Sequence, residues 1–447
     1  MMDPNTDSQG YVELAQALRN GCGFTRMVDG KCGPLPGFSR VMKAERSIWV
    51  TLFPDIVRTP GYPFFLSLMP NLSTALIIQA LLAGLMVFAV CAFASMRWGS
   101  AAALISSALI VLDVPGIVYS NEIMSETLFA VLFVFGVLSA LCTTSEACSA
   151  VRKVALLTLS STTFGGAAIV RPVAEFALAV PALIPLAFAG VSWVKRIGFV
   201  ALVILVPALV IGGWSLRNYR VTGVSYFSPV GAINLYYYRA APTLAYAMHR
   251  RSGVELSHDS TDLSSQALRI IAHHPVAFAR MTAWSFLYLC FVPDVGPLMH
   301  LLGISRSFPV EPSGGEDAGH ARPSGSSRAL AALYAFSTSP RKTLLSIYRT
   351  EFASSPTIVW LTAFQLLMSL ILWVGVIAGL RLLSLRSYKG LCLLFCLATP
   401  LMLLLLASGT DSHDRHRIAA LPLLAIVSGI GWVDACARIR RIGAYLE

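Results

Sequence analysis

Residues 74–96 read TALIIQALLAGLMVFAVCAFASM, a stretch with no charged side chain. An uncharged run longer than about 18 apolar residues is long enough to cross a hydrocarbon core as a helix. Similar runs follow at 100–119, 126–143, 154–170, 173–192 and 197–216 with only short polar punctuation. Three more come after a long gap, at 357–380, 390–408 and 418–435, which makes nine candidate spans. Composition agrees, since the 447 residues are 56% hydrophobic and only 13% charged. A soluble domain carries about a quarter charged residues. Soluble, nucleic-acid-binding and disulfide-scaffold classes are excluded, and the fold class expected is an all-α polytopic membrane protein.

The chain has 34 Lys and Arg against 23 Asp and Glu, a formal charge of +11. Location gives that excess its meaning. Arg97, Arg152, Lys153, Lys195, Arg196, Arg381, Arg386, Lys389, Arg438, Arg440 and Arg441 fall in loops on one side of the spans. The opposite short loops hold Arg171, Arg415 and Arg417. The positive-inside bias makes the first side cytoplasmic. Residues 1–73 and 217–356 are then extracytoplasmic. The apolar segment 281–292 (MTAWSFLYLCFV) is short for a span and reads as membrane-dipping. Were it a tenth span, the loop holding Arg381 and Lys389 would move to the wrong side. The polar stretch 1–73 has no apolar leader to export it, so a transmembrane helix upstream of it is expected. The alternative is that span 74–96 exports its own N-terminal tail.

In the first loop, Tyr11, Leu14, Ala15 and Leu18 recur at helical spacing, which predicts a short helix with one apolar face lying in the membrane interface. Residues 311–328 (EPSGGEDAGHARPSGSSR) are rich in Gly, Ser and Pro and read as a flexible loop. Of nine cysteines, seven sit in or beside spans, where Cys behaves as a small hydrophobe. Cys22 and Cys32 share an extracytoplasmic segment, where a disulfide and two free thiols are both open readings. No His or Cys spacing signals zinc, and His413 and His416 in DSHDRHR read as solvated polar residues.

Function is sought where polar residues break the bilayer's rules. Four clusters do so. Asp7-Ser8 opens the short helix, and its carboxylate serves either as a general base or as a helix cap. Arg58-Thr59-Pro60-Gly61-Tyr62-Pro63 forces a turn before an apolar segment, placing an arginine where a phosphate or carboxylate could be met. In Asn121-Glu122-Ile123-Met124-Ser125-Glu126, two carboxylates at i, i+4 are expected on one helix face. Glu126 runs straight into an apolar span, and an ionisable group at membrane depth is a functional hypothesis. The last cluster is a set of arginines against the charge bias: Arg171 before Pro172, Arg217-Asn218-Tyr219-Arg220, Arg415 and Arg417. Singly each fits a snorkelling residue. Together, with their forks of donors, they suggest an anionic headgroup presented from the membrane. Tyr236, Tyr237 and Tyr238 could stack on a sugar, although aromatic belts at interfaces are common. A polytopic transporter or flippase for a lipid or anionic solute is the alternative. It calls for a polar residue on a broken helix near the midplane, and Asp113 before Pro115 is the main candidate.

The order Asp7-Ser8, Tyr11-Val12-Glu13-Leu14-Ala15, Gly21-Cys22-Gly23-Phe24 and Arg58-Thr59-Pro60-Gly61-Tyr62-Pro63 resembles the first extracytoplasmic loop of membrane glycosyltransferases of the GT-C fold. The nearest branch is the bacterial dolichyl-phosphate-mannose–protein mannosyltransferase-like group (glycosyltransferase family 39), with the aminoarabinose and galacturonic acid transferases that modify lipid A and core. The resemblance continues through Met124 to Phe129, Arg171-Pro172, Trp214 to Tyr219, His274-Pro275 and Arg415 to Pro422. It implies a GT-C fold of nine or ten transmembrane helices with short interfacial helices in the extracytoplasmic loops. It also implies transfer of a monosaccharide, a hexosyl or pentosyl group, from a polyprenyl-phosphate donor to lipid A, a glycan or a protein, with inversion. Asp7 matches the catalytic aspartate and Glu126 a second acidic residue, with Glu122 beside it. Arg58, Arg171 and Arg217 match positions for the donor phosphate, with Asn218, Arg415, Arg417 and Tyr236 as additional site residues. No cofactor is implied, and a divalent metal is compatible with this chemistry without being required by it. Partners are the lipid-linked donor, the acceptor and membrane lipids, with no nucleic acid. The expected location is the bacterial inner membrane with the site on its periplasmic face. The expected divisions are 1–73 as first loop, 74–216 as a six-helix core, 217–356 as a loop region, and 357–447 as three helices and a basic tail.

Overall fold

A computed structural model describes residues 7–25, 27–28, 31–32, 55–145, 148–188, 190–248, 263–291, 356–384, 387–409 and 414–446. The loop 311–328 and His413 lie outside the described residues. The chain divides into two units. One comprises Met1–Gly231, Ile371–Leu406 and Ile418–Glu447; the other comprises Ala232–Leu370 and Ala407–Arg417.

The first unit begins with helix α1 (Asp7–Arg19), as the apolar spacing predicted, and a two-residue hairpin of β1 (Met27–Val28) and β2 (Lys31–Cys32). A short α2 (Gly61–Ser67) leads into α3 (Leu72–Trp98), which contains the stretch quoted above. Asn71 caps α3 by accepting from the Thr74 amide at 2.8 Å. Gly99, at φ 94°, ends it in a conformation that a side chain would resist. Then come α4 (Ser100–Val111), α5 (Val114–Ser120), α6 (Glu126–Cys142), α7 (Ala150–Val170) and the four-residue α8 (Ala174–Ala177). The long α9 (Trp193–Thr222) follows.

Six helices among the described residues are long and apolar enough to cross a membrane, or seven if α4 and α5 count as one span. Two expected spans depart from regular helices, for reasons written in the sequence. Segment 100–119 bends by 60° between α4 and α5. There the Asp113 carboxylate accepts from the Gly116 amide at 3.0 Å and starts a new helix with Pro115 in its first turn. Segment 173–192 is not one helix. It splits into α8 and a 3-10 turn at Pro181–Ala187, because Pro181 and Pro185 remove amide donors the α-helix would need. Segment 126–143 is the 17-residue α6, buried along nearly its whole length. It packs most extensively on α7, and α7 packs on α9.

The later helices are α14 (Pro356–Leu380), α15 (Tyr388–Ala407) and α16 (Leu421–Leu446). Gly375 and Gly379 on α14 form a GxxxG face that lies against Ser428 and Gly431 of α16. A Cβ on Gly375 would come within 2.7 Å of the Ser428 carbonyl oxygen, and one on Gly431 within 2.6 Å of the Gly379 nitrogen. Close backbone approach over small residues is how helices associate where lipid supplies no hydrophobic drive. Across from it, Gly429 meets α4, where a Cβ would stand 2.7 Å from the Ala102 carbonyl oxygen.

The second unit contains α10 (Val230–Leu235) from Ala232 onward, a π-helical turn at Tyr236–Ala240, α11 (Ala241–Ala247), α12 (Leu263–His273) and α13 (Pro275–Phe291). Residues 281–291 of the apolar window are the C-terminal part of α13, a longer helix that starts with Pro275 in a first-turn position. Tyr236 is buried with Ala240 and Ala267. Arg417 is buried too, its Nη1 donating to the Cys290 carbonyl at 3.4 Å and the Ser369 hydroxyl at 3.3 Å.

Candidate functional site

The site is built in the first unit around the start of α1. Asp7 sits in the first turn of that helix, where the unsatisfied amides favour a carboxylate. The Arg58 turn is fixed locally: the Asp55 carboxylate accepts from the Val57 and Arg58 amides at 2.9 and 3.0 Å. It is then fastened to the end of α7. The Thr59 hydroxyl donates to the Val170 carbonyl at 2.9 Å, and Gly61 lies so close that a Cβ would stand 2.7 Å from the Ile169 oxygen.

Arg171 leaves α7 at this same place. Its backbone is extended (φ −142°, ψ 131°), because the following Pro172 disfavours the helical conformation. Its guanidinium then reaches Glu126 at 2.5 Å and the Ser125 hydroxyl at 3.3 Å. Ser125 shares a 3.2 Å hydrogen bond with the Tyr11 hydroxyl. Tyr11 sits edge-on to Tyr62 with ring centroids 4.9 Å apart. The Tyr62 hydroxyl donates to Gln79 Oε1 at 2.5 Å, and Gln79 donates onward to the Glu122 carbonyl at 2.9 Å.

Arg58 Nη2 lies 3.5 Å from Asp7 Oδ1, and Nη1 lies 3.9 Å from Asp55 Oδ2. Its guanidinium stands 5.6 Å from the Tyr11 ring centroid. The side chain is only 12% exposed, and its Nε and Nη1 are buried with no hydrogen-bond partner among the described residues. The two acids differ sharply. The Asp7 side chain is 36% exposed and the Glu126 side chain 3%. Burial, reinforced by the negative charge of Asp7, pushes the Tyr11 phenol up to about 12. Burial also raises the Tyr62 phenol, so both rings stay neutral hydrogen-bonding groups near neutral pH.

Arg217, near the end of α9, grips backbone. Nη1 donates to the Asp55 carbonyl at 2.9 Å and Asn218 Oδ1 at 3.0 Å, and Nη2 donates to the Phe24 carbonyl at 2.9 Å. Its guanidinium stacks 4.8 Å from the Trp214 ring. Asn218 is fully buried and donates to the Tyr226 and Phe227 carbonyls. Phe24 lies between Cys22 and Cys32, which are joined by a disulfide.

Asp7, Arg58, Glu126 and Arg171 are therefore brought together, and Arg217 is linked to them through Asp55. Glu122 and Glu126 do not share a helix face. Residues 121–125 form turns between α5 and α6, and the Met124 amide bonds back to the Glu122 carbonyl. Arg415, Arg417 and Tyr236 belong to the second unit. No group of three His, Cys, Asp or Glu side chains is placed to hold a metal among the described residues. Sequence reasoning passed over Asp55, Ser125 and Gln79 as site components. Gln79 had a signal, being the lone amide in an otherwise apolar span.

No protein-family model matches the chain. No curated protein matches it either. Among solved structures, it is similar to the oligosaccharyltransferase AglB of Archaeoglobus fulgidus in complex with an inhibitory peptide and a dolichol-phosphate, at 14% identity and a TM-score of 0.48. That match covers 98% of this chain and 47% of the other. The same organism's oligosaccharyltransferase tethered to an acceptor peptide matches at 12% identity and a TM-score of 0.49, over 99% of this chain and 47% of that one. The form with zinc and sulfate matches at 14% identity and a TM-score of 0.47, over 98% and 46%. This chain thus spans about half the length of the proteins it matches.

Proposed function

We propose that this chain is a membrane glycosyltransferase that moves a monosaccharide from a polyprenyl-phosphate donor to an extracytoplasmic acceptor (lipid A, a glycan or a protein). The observation that carries the reading is the pairing of Asp7 with Arg58. An accessible carboxylate is held beside a buried guanidinium that still has unused donors. A base and an anion receptor side by side suit attack by a hydroxyl or amine on a sugar whose leaving group is a phosphate.

In this reading the acceptor gives its proton to Asp7 as its lone pair bonds to the anomeric carbon. The bond from that carbon to the phosphate oxygen breaks, and the electron pair leaves with the lipid phosphate. One base and one displacement give inversion. Arg58 meets the phosphate, and Arg171 adds positive charge beside it. Glu126 orients Arg171, and Arg217 supports the Arg58 turn through Asp55. The leaving phosphate is a stable anion, so the displacement does not require a metal. The disulfide favours an oxidising, extracytoplasmic side for the site, as on the periplasmic face of an inner membrane. Asp113 weighs against a transporter, because its carboxylate is engaged in capping α5.

The test is transfer in proteoliposomes loaded with undecaprenyl-phosphate-linked sugars, combined with native mass spectrometry of the purified protein. Asp7→Asn should abolish transfer and keep a bound polyprenyl phosphate. Arg58→Ala should lose both. Ordinary phospholipids alone in the wild type, with no transfer from any donor tried, would sink the proposal.

A further inference from the structure

We infer that Gly10 is a positioning residue that forms the slot holding Arg58 against Asp7; the inference deepens the reading of those two residues given above. Gly10 lies in the middle of α1, where glycine costs roughly 0.5–1 kcal/mol relative to alanine. Its φ is not in the left-handed region, so backbone conformation does not call for glycine. What calls for it is the guanidinium. A Cβ built on Gly10 would stand 2.6 Å from Arg58 Nη2 and 2.8 Å from Nη1, and closer still to Cζ.

A flexible arginine on an open surface would swing aside. Arg58 is confined on several sides. The Asp7 and Asp55 carboxylates stand 3.5 and 3.9 Å from its terminal nitrogens, the Tyr11 ring centroid lies 5.6 Å away, and its backbone amide is tied to Asp55. A methyl group at position 10 therefore displaces the guanidinium from Asp7, carrying away the donors that would meet a phosphate. Lysine, whose single ammonium lacks the planar fork, does not need the slot.

Two measurements on the purified full chain test this. The first is affinity for undecaprenyl phosphate, with inorganic phosphate as a separate arm to distinguish a lipid headgroup from a free anion. Gly10→Ala should weaken undecaprenyl phosphate at least tenfold. Placed on Arg58→Lys, the same change should weaken it less than twofold, and equal losses in both backgrounds would overturn the inference. Inorganic phosphate weakened in parallel places the effect at the headgroup; a lipid-only loss without parallel weakening overturns the Arg58 route.

The second measurement is melting temperature, which needs no ligand. Gly10→Ala should lower it when Arg58 is present and raise it in Arg58→Ala, where only helix propensity remains. A rise or no change with Arg58 present refutes the slot. If Gly10→Ala does not fold, a folded Gly10→Ala/Arg58→Ala double variant supports the slot and an unfolded one refutes it. Reversal of the melting effect with no undecaprenyl phosphate binding in any variant would support the packing and overturn the proposed function.

Discussion

Replacing Arg171 by alanine should be among the most damaging single changes in the first unit. The Glu126 side chain is 3% exposed and Arg171 is 20% exposed, with 2.5 Å between their charged atoms. Removing one partner of a buried pair costs about 3–5 kcal/mol, because the other charge stays behind without it. Scaled to a chain of this length, 1 kcal/mol corresponds to roughly 1–2 °C of melting temperature, so the expected fall is about 3–10 °C. Glu126→Gln should cost less, since the charge it strands sits on the more exposed partner, whose long stem can reach water. A Glu126→Gln/Arg171→Met double variant removes both charges and should recover most of the Arg171→Ala loss. Thermal unfolding in detergent micelles reads these three variants and the Arg171→Met single variant. If the double variant's cost equals the sum of the Glu126→Gln and Arg171→Met costs within about 0.5 kcal/mol, the two residues are not coupled and the argument fails.

Tyr11 gives a pH signature: with its phenol raised from 10 to about 12, folding favours the protonated ring. That stability is complete below pH 10 and lost as pH rises towards 12. Melting between pH 9 and 11.5 should fall more steeply in the wild type than in Tyr11→Phe, and identical slopes would contradict it. Cutting the Cys22–Cys32 bridge, which closes a loop ten residues apart in sequence, should cost about 3 kcal/mol and loosen the segment gripped by Arg217. Paired serine substitutions and hydrogen exchange over residues 22–32 check this. Asn218→Ala, losing two bonds to the Tyr226 and Phe227 carbonyls, should cost about 2–3 kcal/mol, measured by the same melting assay.

The sequence made the long apolar helices legible because a bilayer tolerates few alternatives to an uncharged run. It hid the broken ones. At 100–119 the break depends on Asp113 using its side chain as a cap, and at 173–192 on how two prolines divide a helix that hydropathy sees as continuous. In the site, the charged residues announced themselves by violating the membrane's charge rules, whereas their partnerships did not. Nothing in one dimension says that Arg171 reaches Glu126, or that Arg217 spends its donors on the backbone of Asp55 and Phe24. Gly10 is invisible for the same reason, since its importance lies in an atom forty-eight positions away.

Helix α9 acts as a measuring rod. Its 30 residues extend about 45 Å at 1.5 Å each, against about 30 Å of hydrocarbon. Arg196 and Arg217 stand about 32 Å apart along it by the same rise, enough to bracket the oily slab. The upper arginine also holds the carbonyls of Asp55 and Phe24, so the height of the surrounding loops is set by the number of turns beneath them. Deleting one turn from the middle of the rod would draw those loops inward by about 5.4 Å. In the proposed reading, a lipid phosphate anchored at the headgroup plane would then face the wrong level of the protein.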